Sequence, residues 1–145
     1  PGIVSETLAT SRFVALAPPE FDFGVKKKLK ARDLCGHPFI GLNGRGPLGR
    51  ALSQYLEPVE SDLNIVIWSE TYHVVKTLVA RGAGVTVIDE ITAKSGDTSN
   101  VQILSLSPAL RFDIKVLSLA AAPLSLAAQR FVEHLGTTIK KFLSD

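Results

Sequence analysis

Three short apolar runs, residues 13–17, 38–42 and 85–88, constrain the fold of this chain more than any other feature. Runs of four or five residues are too short for a helix, and because polar residues do not alternate through them they have no face for water. Each is bounded by turn chemistry: Pro18-Pro19 stops the first, Asn43-Gly44-Arg45-Gly46-Pro47 follows the second, and Gly84 leads into the third. Residues 63–68 add a strand rich in β-branched and aromatic side chains. Between the runs, Leu48, Ala51, Leu52, Tyr55 and Leu56, and then Val74, Val75, Leu78 and Val79, recur at helical spacing. Strands without a wet face, separated by helices, imply an α/β domain whose mostly parallel sheet is flanked by helices on both sides.

Local signals mark the ends of these elements. Pro47 suits the first turn of its helix, Ser69-Glu70-Thr71 supplies capping groups for the next, and Arg81-Gly82 closes it. Residues 92–100 read as a polar loop and residues 101–106 as a strand ended by Ser107-Pro108. Phe112, Ile114 and Val116 alternate with Asp113 and Lys115, as in a strand entering a core from its wet end. After Pro123, Ser125 caps the longest helix, whose apolar stripe is Ala128, Phe131, Val132, Leu135, Ile139 and Phe142. Gly136 inside it costs roughly 1 kcal/mol relative to alanine and marks a place for a break. Pro1-Gly2-Ile3-Val4 reads as the end of an apolar strand.

Composition narrows the function classes. With 145 residues, 46% apolar and 21% charged, the chain can bury one real core. Sixteen Lys and Arg against fourteen Asp and Glu leave a formal charge of +2, too small a surplus to argue for a nucleic-acid surface. The longest mainly apolar stretch, residues 116–128, is well short of the roughly 20 residues of a bilayer span, so no membrane partner is expected. A single cysteine, Cys35, forms no internal disulfide, which fits the reducing cytoplasm. With no methionine and no signal-peptide pattern at its start, the chain is expected to be a piece of a longer protein. Lys26, Lys27, Lys28, Lys30 and Arg32 lack interleaved aromatics and are expected in a solvated turn or short helix rather than a phosphate patch.

Catalytic and metal chemistry find little support. His37, His73 and His134 have no second ligand at a spacing a metal uses, no serine sits in a G-x-S-x-G elbow, and Cys35 reads as an inert thiol. Glu6, Glu70, Asp89 and Glu90 pair only if folding brings them together, and Asp89-Glu90 reads as a charged strand-end turn. The turn from Asn43 to Gly46 is different. A glycine-bearing loop between a strand and a helix N-terminus turns backbone N–H groups outward, where the helix dipole favours an anion. It lacks the Gly-Lys-Ser/Thr ending of a nucleotide-binding loop, and a turn that needs glycine only for its dihedrals is the alternative. The expectation is a binding module with no enzyme activity and no cofactor.

Two segments carry a family resemblance. Residues 74–88, VVKTLVARGAGVTVI, are similar to the helix, Gly-x-Gly turn and strand of the effector-binding region of LysR-type transcriptional regulators, and residues 31–42, ARDLCGHPFIGL, resemble that region's Asp-Leu to Pro-Phe-Ile entry into a strand. Gly2-Ile3-Val4 and residues 13–18 look like the passage from its first subdomain to its second. Asp89 departs from the pattern, which often has proline after the strand. The resemblance covers nearly the whole chain. It implies the type 2 periplasmic binding protein fold, two Rossmann-like subdomains joined by two crossovers, with residues 12–111 as a complete second subdomain, residues 1–11 and 112–145 as part of the first, and the DNA-binding domain absent.

The same resemblance implies the site and its use. Leu42, Asn43, Gly44 and Arg45 at one strand end, and Ser69, Glu70 and Thr71 at the next, would form the second subdomain's side of a cleft for a small-molecule effector. Arg45 suits a carboxylate, and Glu70 would repel a simple dicarboxylate, which favours a zwitterionic or amine-bearing metabolite. Effector binding would favour one subdomain orientation and so alter DNA binding in a dimer or tetramer, with DNA contacted only through the absent domain. A solute-binding protein of a transport system and a two-lobed biosynthetic enzyme share the fold and remain as alternatives.

Overall fold

The structure is a computed structural model that describes residues 2–145. In chain order its elements are β1 (Ile3–Ala17), β2 (Lys28–Leu29), β3 (Pro38–Leu42), α1 (Pro47–Leu56), β4 (Asn64–Ser69), α2 (Tyr72–Ala80), β5 (Thr86–Asp89), α3 (Glu90–Lys94), β6 (Gln102–Leu106), β7 (Arg111–Leu119) and α4 (Leu126–Ser144). Short 3-10 segments occupy Ala31–Leu34 and Glu57–Asp62. The chain divides into two compact units, Arg12–Leu110 and Pro1–Ser11 with Arg111–Asp145.

In the larger unit the apolar runs are the middle of the sheet. Phe13, Val14, Ala15, Leu16 and Ala17 are all fully buried, as are Val85, Val87 and Ile88, so these strands are covered on both faces. β3 and β4 are parallel, and β3 reaches β5 through a parallel bridge between Phe39 and Val85. Ile40 N donates to Val85 O at 2.9 Å, and Thr86 Oγ1 donates to Ile40 O at 2.8 Å, which satisfies a buried hydroxyl. β5 then pairs with β1, β1 with β6, and β6 with the two-residue β2. β1 is antiparallel to both β5 and β6, so the expected mostly parallel sheet is in fact mixed. Wholly apolar strands report burial on both faces and not direction, and β1 enters the unit without a preceding crossover helix to set it parallel.

Other differences have local causes. β1 begins at Ile3 and continues for 15 residues, so Ile3 and Val4 open a strand rather than end one; Pro1 lies outside the described residues. Residues 92–100 are not all loop, because Asp89 Oδ1 accepts from Thr92 N at 2.9 Å and caps the five-residue α3, too short to show a helical period. The buried face of α2 is Val75, Lys76 and Val79, while Val74 is half exposed. Lys76 buries its methylene stem and its ammonium bonds to Ser95 O at the end of α3. β2, within the lysine run, carries too few residues to be read from sequence. The run itself is exposed apart from Leu29, with Lys26 paired to Asp33 and Arg32 to Asp62.

In the smaller unit β7 pairs with β1. Thr10 Oγ1 donates to Asp113 at 2.9 Å, and α4 is capped by Ser125, whose Oγ accepts from Ala128 N. α4 does not break at Gly136. That glycine is buried against Leu8 of β1, and a Cβ added to it would lie 3.6 Å from the Leu8 side chain, an ordinary contact, so the helix runs through it without a break. Leu117, Leu119, Leu126 and Phe131 are each about two-thirds exposed.

Gly84 joins α2 to β5 where the backbone has no room. A Cβ there would fall 2.5 Å from Pro38 O, the acceptor of the Val85 N hydrogen bond, and the residue has φ +158°. Gly84→Ala is therefore expected to cost about 2–3 kcal/mol in urea denaturation. Gly36→Ala, whose Cβ meets nothing within 4 Å, should leave the midpoint unchanged.

Candidate functional site

The expected site residues lie on two turns that the β3–β4 ladder sets side by side. Gly41 is opposite Trp68 and Leu42 opposite Ser69, and Asn43 N donates to Ser69 O at 2.9 Å, carrying the pairing one residue past the strands. Both turns therefore emerge at carboxyl ends of adjacent parallel strands, and each leads into a helix, the place where open α/β sheets hold ligands. A register shift between Phe39 and Ile40 leaves Val66 without a partner in β4, and this extra residue brings Ile65 and Trp68 to one face.

The residues of the two turns have different roles. Leu42 is buried and lines a cavity of about 40 Å³ beneath α1, with Phe39, Leu52, Leu56 and Trp68, so only its backbone reaches the strand end. Gly44 packs against the first turn of α1: a Cβ on Gly49 would fall 1.8 Å from Gly44 O. Asn43 and Arg45 are exposed, and Arg45 has no ion pair or hydrogen-bond partner among the described residues. Ser69 Oγ accepts from Thr71 N at 3.2 Å and folds the second turn. Glu70 is exposed and likewise has no partner among the described residues. Neither helix start, Gly46 of α1 nor Thr71 of α2, has a side-chain capping bond, so those first-turn N–H groups have no cap acceptor.

Tyr72, first residue of α2, was not among the expected site residues. Its hydroxyl lies 3.4 Å from where a Cβ on Gly44 would be, and it makes no hydrogen bond among the described residues. Burial, and after it the charge of Asp89, pushes its pKa up, so it stays a neutral donor and acceptor. The sequence signal was its position directly after Ser69-Glu70-Thr71, where a tyrosine reads equally well as a helix side chain.

The other candidate acids are used internally. Asp89 caps α3, and Glu90 is 5% exposed between Arg12 and Lys94. Arg12 Nε and Nη2 donate to the two Glu90 oxygens at 3.0 and 3.1 Å, and Nη1 donates to Ser105 Oγ at 3.3 Å. Burial would raise the Glu90 pKa, but the bonds from Arg12 and Lys94 outweigh it and hold the carboxyl below its ordinary range. Burial pushes the Cys35 thiol up, away from the thiolate a nucleophile needs. Phe21 and Phe23 both pack on the His37 ring. No group of three or more His, Cys, Asp and Glu able to hold a metal occurs among the described residues. Nor is any helix among them long and apolar enough to cross a membrane.

Residues 1–140 match the LysR substrate binding domain. The chain belongs to this family. It is 31% identical over 139 residues to the HTH-type transcriptional regulator DgcR of a Pseudoalteromonas species, covering 96% of this chain and 48% of that protein. Among solved structures, HinK, a LysR family transcriptional regulator from Pseudomonas aeruginosa, superposes with a TM-score of 0.73 at 23% identity, covering 94% of this chain and 48% of that one. The Synechocystis CcmR regulatory domain, solved in complex with 2-PG, gives a TM-score of 0.72 at 21% identity, covering 94% of this chain and 67% of that one. The chain thus has the type 2 periplasmic-binding-protein-like fold of LysR effector-binding domains and spans about half the length of the full-length relatives it matches.

Two outcomes follow from this geometry. Gly49→Ala should displace the Gly44 turn and cost about 2 kcal/mol by chemical denaturation. Glu90→Gln should cost about 2 kcal/mol at pH 7, less than for a fully buried pair because Arg12 is partly exposed. Because the folded Glu90 pKa lies below its ordinary 4.5, its stabilisation is complete above that value and is lost as pH falls through the folded pKa. The wild type should therefore lose stability more steeply than Glu90→Gln below pH 4.5, measured by thermal melts across the acid range.

Proposed function

We propose that this chain is the ligand-sensing part of a LysR-type transcriptional regulator, taking a small metabolite at Leu42, Asn43, Gly44, Arg45, Ser69, Glu70 and Thr71. The observation that carries the reading is the Asn43–Ser69 hydrogen bond, which joins two strand-end turns in a chain of this family. Arg45, with no protein partner, offers a fork of N–H donors to a carboxylate or phosphate. Tyr72 adds a hydroxyl beside Gly44.

In this reading residues 12–111 are the second subdomain and residues 1–11 and 112–145 part of the first. DNA is bound by a segment outside this chain, and the regulator works as a cytoplasmic homo-oligomer without enzymatic turnover. The effector acts by differential affinity: it changes DNA binding only as far as it binds one conformation of the regulator more tightly than another. Asp89 and Glu90, the acids at the carboxyl end of β5, are engaged in a helix cap and an ion pair, which favours sensing over catalysis.

The test is operator binding by the full-length regulator. A metabolite that raises its melting temperature should also change the DNase I footprint, and Arg45→Ala should abolish that change while operator affinity without metabolite stays within twofold. A footprint that never responds to any stabilising metabolite, or consumption of the metabolite during incubation, would overturn the reading.

A further inference from the structure

The two turns carry opposite charges that the protein leaves unanswered. Arg45 stands on the first and Glu70 on the second, both exposed and both without an ion-pair or hydrogen-bond partner among the described residues, while the turns themselves are fixed to each other by the 2.9 Å Asn43–Ser69 bond. Arg12, Lys26, Arg32 and Lys94 of the same unit each pair with a carboxylate, whereas Arg50 and Arg81, like Arg45, have no ion pair among the described residues, so it is the position of Arg45 on the turn joined to that of Glu70 that sets it apart. A free carboxylate beside the proposed anion-binding arginine is a specificity element: it penalises a ligand that is only anionic and rewards one that also carries a cation.

Resting on the proposed effector site, we propose that the ligand is a small zwitterion of the amino-acid class, its carboxylate on Arg45 and its protonated amine on Glu70. The donor and acceptor supply fits such a molecule. Arg45 offers N–H donors, Glu70 is acceptor only, and the Tyr72 hydroxyl, free of protein partners beside Gly44, can serve either end. A dicarboxylate would set a second negative group against Glu70, and a neutral sugar would leave both charges unpaired.

The experiment uses the full-length regulator and matched probes: the protein amino acids and their D-enantiomers, each against its 2-oxo, 2-hydroxy and N-acetyl counterparts. Thermal shift finds the binders and calorimetry measures them. At least one amino acid should bind, with its amine-free and N-acetyl counterparts weaker by tenfold or more. Glu70→Gln should weaken the amino acid at least tenfold yet leave the 2-hydroxy acid as tight or tighter, whereas Arg45→Ala should weaken both. Both side chains are exposed, and unliganded melting temperatures equal to wild type show that the variants fold. If an amine-free acid binds wild type as well as the amino acid, depends on Arg45 and ignores Glu70, the zwitterion is overturned and the effector site stands. If binders of any class are unmoved by both substitutions, the site itself is wrong. If no amino acid stabilises the protein, the proposed class is wrong.

Discussion

Burial of β1 on both faces governs the larger unit. Five consecutive side chains, Phe13 to Ala17, leave water at once, so helices and strands must surround this segment from every side. Phe13, Val14 and Leu16 each contribute about 1.5–3 kcal/mol of transfer free energy on full burial. β5 and β6 pair along its two edges. β3 is then attached to β5, and β4 to β3, so the strand ends that carry the two turns lie at the end of a series of pairings that begins at β1.

The turns depend on rigidity of a different kind. The Gly44 carbonyl against Gly49, the Asn43–Ser69 bond and the Ser69–Thr71 turn fix the backbone of the proposed effector site, from which Arg45, Glu70 and Tyr72 project. A site whose backbone is already ordered loses less entropy when a small molecule binds. The acids nearest in sequence, Asp89 and Glu90, act in the opposite sense: they are held internally, and they secure the end of β5 through α3 and Arg12.

Much of this was legible in the residues. Apolar runs without alternation located the end of β1 and most of β3 and β5, and Pro47 and Ser125 marked helix starts, because burial and backbone geometry act locally on residue type. Strand direction was not legible, since Phe13 to Ala17 are buried equally well in an antiparallel as in a parallel pair. α3 stayed hidden because one helical turn has no period, and Lys76 broke the stripe of α2 because a long stem buries like a hydrophobe while its ammonium finds Ser95. At the site, the chain order Asn43 to Arg45 and Ser69 to Thr71 gave the two turns, but their contact came from the β3–β4 register, and Tyr72 became visible only once that register set it against Gly44.

The Gly44–Gly49 contact also bears on how such a domain diverges. Because a side chain at position 49 would meet the carbonyl of residue 44 at 1.8 Å, position 49 is closed to exchange. In the proposed effector site, a change of ligand preference is then open at the solvent-facing positions 43, 45 and 70 on an unaltered scaffold. Such a site is reshaped by single substitutions, without first having to survive a disrupted fold.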